Sequence, residues 1–150
     1  MNSKKVQLHQ HCISLIQERI AELETAAAAV RESRNNETKS SAGDKYETGR
    51  AMMQQEEDKL LARQDAAQQM LLQLRQLKPE QESIQVSPGS LVQTNARSYY
   101  LSVSLGKVIF EGHTYFCVSA EAPISKVLLG KAEGEAIQLN GREELILTLF

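Results

Sequence analysis

Ser40-Ser41-Ala42-Gly43-Asp44-Lys45-Tyr46-Glu47-Thr48-Gly49 interrupts two long segments that otherwise favour helix. Its reading decides whether the first half of the chain is one continuous rod or two arms folded back on each other. Glycine weakens helix through backbone entropy. The serines, like Asn35-Asn36 just upstream, weaken it by offering the backbone competing hydrogen bonds. A break is therefore expected here.

Upstream, apolar and small residues recur at Val6, Ile13, Ile16, Ile20, Leu23, Ala27 and Val30, with alternating steps of three and four after Ile13. That spacing is a heptad seam, and the strong helix formers between these positions predict one helix with a narrow apolar stripe. Downstream, Met53, Leu60, Ala67 and Leu74 are spaced by seven, with Leu71 in support and Glu57 and Gln64 as polar interruptions. The segment stops at Leu77-Lys78-Pro79, because proline disfavours helix at the residue before it. Two stripes of similar length around a polar break fold most simply as an antiparallel coiled-coil hairpin. The rival, one long helix paired between chains, has the break against it, so a monomer is expected. Each arm has about 28 residues and rises about 1.5 Å per residue, which puts the turn roughly 40–45 Å from the base.

After Pro79 the period changes to two. Ser83–Ser87, Ser98–Leu105 and Val108–Ser119 alternate β-branched or aromatic residues with polar ones, punctuated by Pro88-Gly89, Gly106 and Glu111-Gly112. Ala122–Gly130 predicts a short helix, with Pro123 at its first position and Gly130 at its C-terminal cap. Glu135–Phe150 predicts two strands joined across Asn140-Gly141. The expected fold is α+β: a hairpin domain over 1–78, with its tip at about 35–47, then a β-rich domain over 79–150, an antiparallel sheet with one short helix on a face. The aromatic set Tyr99, Tyr100, Phe110, Tyr115, Phe116 and Phe150 is expected to fill the core of that sheet.

Charge and composition exclude several function classes. A net charge of -2 argues against naked nucleic acid as the main partner, because neutralising phosphates needs a basic surface. The start Met1-Asn2-Ser3-Lys4-Lys5 is not followed by the apolar run of a secretory signal, and no later segment approaches a membrane span, so a cytoplasmic protein is expected. Cys12 and Cys117 lie in different kinds of segment without Cys-x-x-Cys spacing and read as reduced thiols, not a disulfide. His9, His11 and Cys12 do not make a metal site, since a helix groups His9 with Cys12 and turns His11 away. A solvated helix end is expected there instead.

Asp44 and Glu47 admit two readings. An Asp followed three residues later by Glu is a capping-box pattern, in which each side chain accepts a backbone N–H at a helix start. At the solvent end of a long probe the same pair is also half of a site for a hard divalent cation, needing further ligands from a substrate or a second protein.

The string Gly43-Asp44-Lys45-Tyr46-Glu47, followed by Gly89-Ser90-Leu91-Val92 and then by Ala122-Pro123-Ile124-Ser125-Lys126-Val127-Leu128-Leu129-Gly130-Lys131, resembles the bacterial Gre transcript-cleavage factors over essentially the whole chain. The resemblance implies a C-terminal domain like the FK506-binding proteins and a hairpin that enters the secondary channel of RNA polymerase. It implies that Asp44 and Glu47 serve the catalytic role by helping to hold an Mg²⁺ shared with the polymerase active centre, with no tightly bound cofactor of the chain's own. Backtracked RNA is then cleaved by the polymerase, so the chain itself is an accessory factor, not an enzyme. It implies docking through Glu121, Pro123 and Ile124. Arg34, Lys39, Lys45 and Arg50 would stand near the RNA, where cations offset the repulsion between carboxylates and phosphates.

The sequence departs from the family pattern at Thr48, Arg50 and Ala51, where Asn, Glu and Tyr are usual, and at Ala122, where Ser is common. These departures keep open a regulator that occupies the channel without promoting cleavage. The fold type of the second half keeps open a chaperone or peptidyl-prolyl isomerase.

Overall fold

The computed structural model describes the backbone of residues 3–40 and 44–150 and the side chains of residues 3–36 and 47–150. The elements are α1 (Ser3–Ser40), α2 (Asp44–Gln76), β1 (Leu91–Thr94), β2 (Ser98–Leu101), β3 (Gly106–Phe110), β4 (His113–Val118), α3 (Pro123–Leu128), β5 (Ala136–Leu139) and β6 (Arg142–Leu149). No helix among the described residues is long and apolar enough to cross a membrane.

The chain forms two compact units, one of residues Leu15–Leu71 and one of Met1–Ser14 with Leu72–Phe150. The expected division at 78/79 marks a change of element type, whereas these units follow packing.

In the helical unit, α1 and α2 run antiparallel. Glu24 meets Gln64, Arg31 meets Glu57 and Arg34 meets Gln54, so one chain index falls as the other rises. Ile16, Ala27, Leu60 and Ala67 are buried along the seam, while Ile20, Leu23, Val30, Met53 and Leu71 are half-buried. A two-helix seam covers one stripe of each helix, so the intervening residues remain in water. Asn35-Asn36 does not end the first helix, which continues to Ser40. Propensity costs of a few tenths of a kcal/mol per residue are overridden where the opposite face packs.

The other unit is built on a six-stranded sheet of order β3-β4-β2-β1-β6-β5. All neighbours are antiparallel except β2 and β4, which pair in parallel from Ser98↔Tyr115 to Leu101↔Val118. β3 is the connection between them and lies outside β4. The turn at Asn140-Gly141 has φ of 52° and 77°, the doubly left-handed geometry that a two-residue hairpin with native strand twist requires. Gly130, at φ 83°, follows α3 where a left-handed residue is needed to leave the helix.

Two expectations are corrected here. Ser83–Ser87 is not a strand; it has no ladder partner, although Val86 exchanges backbone hydrogen bonds with Gly130 and Lys131, and Ile84 is 91% exposed. The four residues of β1, which the period-two reading does not pick out, take the central place between β2 and β6.

At β1 and β2 the sheet is buried on both faces, which is why Tyr99, Tyr100 and Leu101 are all covered. On one face Tyr99, Leu101, Ile137, Ile146 and Leu149 form a core with Leu128 of α3, and Phe116, Val118, Ile124 and Val127 pack against it. On the other, Tyr100 and Cys117 meet His9 and Cys12 from the first turns of α1. The residues of α1 buried in this unit are Lys5, Leu8, His9 and Cys12, a different stripe from the expected Val6 and Ile13, which are half-buried. Contact with a sheet selects a wider helix face than a coiled-coil seam does, and it includes polar residues that find partners. Lys5 donates from Nζ to the Gln81 carbonyl at 2.7 Å, and His9 Nδ1 lies 2.6 Å from the Tyr100 hydroxyl. The expected solvated helix end at His9–Cys12 is therefore an interior surface.

Candidate functional site

α2 opens at Asp44 and carries Glu47 in its first turn. Glu47 is exposed, and among the described residues no ion pair involves it. The side chains of Asp44, Lys39 and Lys45 lie outside the described residues. Arg50 is exposed, one helical turn further along α2.

Arg34 is engaged between the two helices. Its guanidinium Nη1 donates to Gln54 and, at 3.2 Å, to Glu57, whose other carboxylate oxygen accepts from Arg31 Nε at 3.1 Å. Glu57 is only 6% exposed, and Gln54 extends the network to Asp58 at 3.0 Å. The heptad position that reads as a polar interruption is thus an ion-paired crosspiece between α1 and α2. Arg34 Nε is buried without a hydrogen-bond partner, which marks this as a bracing contact made at some desolvation cost. A groove beside it is lined by Val30 and Ser33 of α1 and by Gly49, Met52 and Met53 of α2.

The second group of expected site residues surrounds the start of α3. Ala122 sits at the N-cap with extended φ and ψ of -62° and 145°, and Pro123 follows at the first helical position. An alanine cannot accept an N–H through its side chain. The turn is held instead by Ser125, whose hydroxyl donates to the Ser119 carbonyl at 2.6 Å, and by the Lys126 N–H, which donates to the Ala122 carbonyl at 3.1 Å. Glu121 and Pro123 are exposed, while Ile124 is half-buried against the core. One side of this short segment is therefore anchored and the other faces solvent.

Next to Ile124 a cleft is lined by Tyr99, Phe116, Arg97, Arg142 and Glu144. Its polar groups are largely engaged with one another. Tyr99 donates its hydroxyl to Glu144, with O–O distances of 2.9 and 3.1 Å, and Thr94 donates to the same carboxylate at 2.6 Å. Burial, with the Glu144 bond and charge, pushes the Tyr99 phenol far above its ordinary value. The Arg97 guanidinium stands 5.8 Å from the centroid of the Phe116 ring. Tyr100 and Tyr115 are fully buried in the sheet and line no opening here.

Sequence reasoning missed Glu144 and Thr94. Both stand in strands where a polar residue reads as solvent-facing, and only the three-dimensional pairing shows them to be buried partners. No group of three or more metal-capable side chains exists among the described residues.

No protein-family model matches the sequence, and no curated protein matches it. Among solved structures the chain is similar to the crystal structure of GreA factor homolog 1 (Gfh1) of Thermus thermophilus. The identity is 19% and the TM-score 0.35, over 96% of this chain and 93% of that one. With a TM-score that low, function has to be argued from the residues and geometry of the chain itself.

Proposed function

We propose that this protein is an accessory factor of bacterial RNA polymerase whose helical hairpin enters the secondary channel, where Asp44 and Glu47 promote cleavage of backtracked RNA. The observation that carries the reading is the coincidence of sequence and fold: α1 ends at Ser40, and Asp44 and Glu47 of the Gly43–Glu47 string lie in the first turn of α2, which runs antiparallel to α1. The Ala122–Lys131 string, in the expected order, supplies a second surface at the start of α3.

The donor chemistry fits Mg²⁺ in kind but not in number. Carboxylate oxygens are the hard ligands that ion prefers, yet two residues make only part of an octahedral shell, so the remaining ligands come from the polymerase and the RNA. When held there, Mg²⁺ lowers the pKa of water and stabilises charge developing on phosphate oxygens. Asp44 is the main ligand, and Glu47 either adds a donor or orients the attacking water by accepting its proton in a hydrogen bond. Lys39, Lys45 and Arg50 offset the repulsion between these carboxylates and the RNA phosphates. Arg34 serves differently, bracing the two helices through Glu57. Glu121, Pro123 and Ile124 dock the sheet-bearing unit on the polymerase. The chain performs no chemistry alone and works in the cytoplasm.

The test is a purified, backtracked transcription complex given the whole protein or its Asp44→Asn variant. Wild type is expected to release short 3′ RNA, and the variant to lose that release while still binding polymerase. The departures at Thr48, Ala51 and Ala122 favour a second reading, a channel-occupying regulator that does not stimulate cleavage. It would slow nucleotide addition with or without the Asp44 carboxylate and show no Asp44-dependent release of 3′ RNA, and that result would overturn the first.

A further inference from the structure

Cys12 and Cys117 stand 105 positions apart in sequence, one on α1 and one on β4, yet their sulfurs lie 3.7 Å from each other. Both are free thiols, and neither is more than 1% exposed. Both belong to the same compact unit, so the contact comes from packing within one body. A disulfide bond is about 2.05 Å long, so closing this pair needs a combined sulfur movement of roughly 1.6 Å, within reach of side-chain rotation and a small backbone adjustment.

We propose that Cys12 and Cys117 form an oxidative modification site, closed to an intramolecular disulfide by a hydroperoxide. The Cys12 sulfur attacks the peroxide O–O bond, which breaks to give a Cys12 sulfenic acid and the corresponding alcohol, or water from hydrogen peroxide. The Cys117 sulfur then attacks the sulfenic sulfur, the S–O bond breaks, and the released hydroxide leaves as water with the Cys117 proton. Both thiols are oxidised by one electron each, and the peroxide is reduced by two.

The order of attack follows from the local chemistry. The hydrogen-bonding contact with Cys117 holds the Cys12 thiol below its ordinary pKa, while the same contact, followed by burial, pushes Cys117 well above its own. Cys12 rides on the helix segment that opens and Cys117 on a strand inside the sheet, so the peroxide meets Cys12 first and Cys117 resolves.

Access to the buried sulfurs is governed by the first turns of α1. Those turns are held by the Lys5 bond to the Gln81 carbonyl and by the His9–Tyr100 hydrogen bond. Helix ends open locally at lower free energy than the core, so a small peroxide reaches Cys12 in these openings. Once formed, the bond joins this segment of α1 to β4 and suppresses the opening that admitted the oxidant. It also closes a long loop in the unfolded chain. The inference rests on packing within one unit and is independent of any role in transcription.

The whole reduced protein is treated with hydrogen peroxide, quenched, unfolded in the presence of an alkylating agent and analysed by mass spectrometry. The expected product is a monomer lighter by two hydrogen atoms, unalkylated, in which the peptides bearing Cys12 and Cys117 are linked. Its melting temperature is expected to rise by about 5–15 °C and to return to the starting value on reduction. Cys12→Ala and Cys117→Ala should each remove both the link and the rise. Alkylation of both cysteines after peroxide treatment would overturn the proposal. So would intermolecular dimers as the sole product, or a link that forms only when peroxide is added to protein unfolded in urea.

Discussion

The two compact units solve the burial of polar groups in opposite ways. In the sheet-bearing unit, Tyr99, Thr94 and Glu144 satisfy one another inside an apolar core, and His9 and Tyr100 do the same on the opposite face. In the helical unit a single seam has no depth in which to hide such a group, so Glu57 is buried only because Arg31 and Arg34 close over it. A thick core specifies its fold through packing. A thin one needs a polar crosspiece to fix which helix faces meet, at a cost in stability. The first arrangement suits a body that must hold its shape, and the second suits an element whose function depends on how its helices are registered.

The largest difference between the units should appear on truncating apolar side chains. Ile146→Ala removes a side chain that is 1% exposed in the core shared with Leu128 of α3, and is expected to cost about 2–5 kcal/mol in urea denaturation. Leu23→Ala, at a half-buried seam position, should cost distinctly less. Equal losses would mean that the seam is as deep as the sheet core, and the contrast would fail.

The crosspiece gives the next effect. Glu57→Leu leaves Arg34 half-buried with one fewer partner, and we expect a loss of about 1–3 kcal/mol. The double variant Arg34→Leu/Glu57→Leu removes charge and countercharge together and should recover most of that loss or exceed wild-type stability. Independent, additive losses in this cycle would show that the ion pairs do not couple the helices.

The smallest expected effect is a pH dependence confined to the sheet-bearing unit. Burial, opposed in part by the Glu80 charge and a hydrogen bond to the Leu74 backbone, lowers the His9 pKa below its ordinary 6.5. The unfolded chain therefore binds the proton more readily than the folded one. Stability is full above the unfolded value and declines as pH falls from there through the folded value. His9→Gln should flatten that part of the profile in thermal melts taken between about pH 5 and 7.

Much of this architecture was legible in the sequence because its signals are local. The change of period at Pro79, the Asn140-Gly141 turn, Pro123 at the first position of α3 and Gly130 after it each act over a few residues. What was not legible depends on contacts between distant segments. The parallel pairing of β2 with β4 leaves no mark in either strand, because β3 intervenes in sequence and not in space. The burial of Lys5, His9 and Cys12 cannot be read from a heptad pattern that anticipates only the partner helix. The candidate site divides along the same line: Asp44 and Glu47 are proposed from their string alone, whereas the commitment of Arg34 to Glu57 emerges only when two helices are set side by side.

The proposed role requires the first turn of α2 to reach the catalytic centre of RNA polymerase. Glu47 is exposed in the first turn of α2, so a Glu47→Cys variant made with Cys12→Ala and Cys117→Ala carries a short photoactivatable cross-linker on its one thiol. Irradiated in a backtracked complex, it should cross-link to the RNA 3′ segment or to polymerase peptides of the active centre. Cross-links confined to the outer surface of the polymerase, in complexes where binding is otherwise intact, would contradict it.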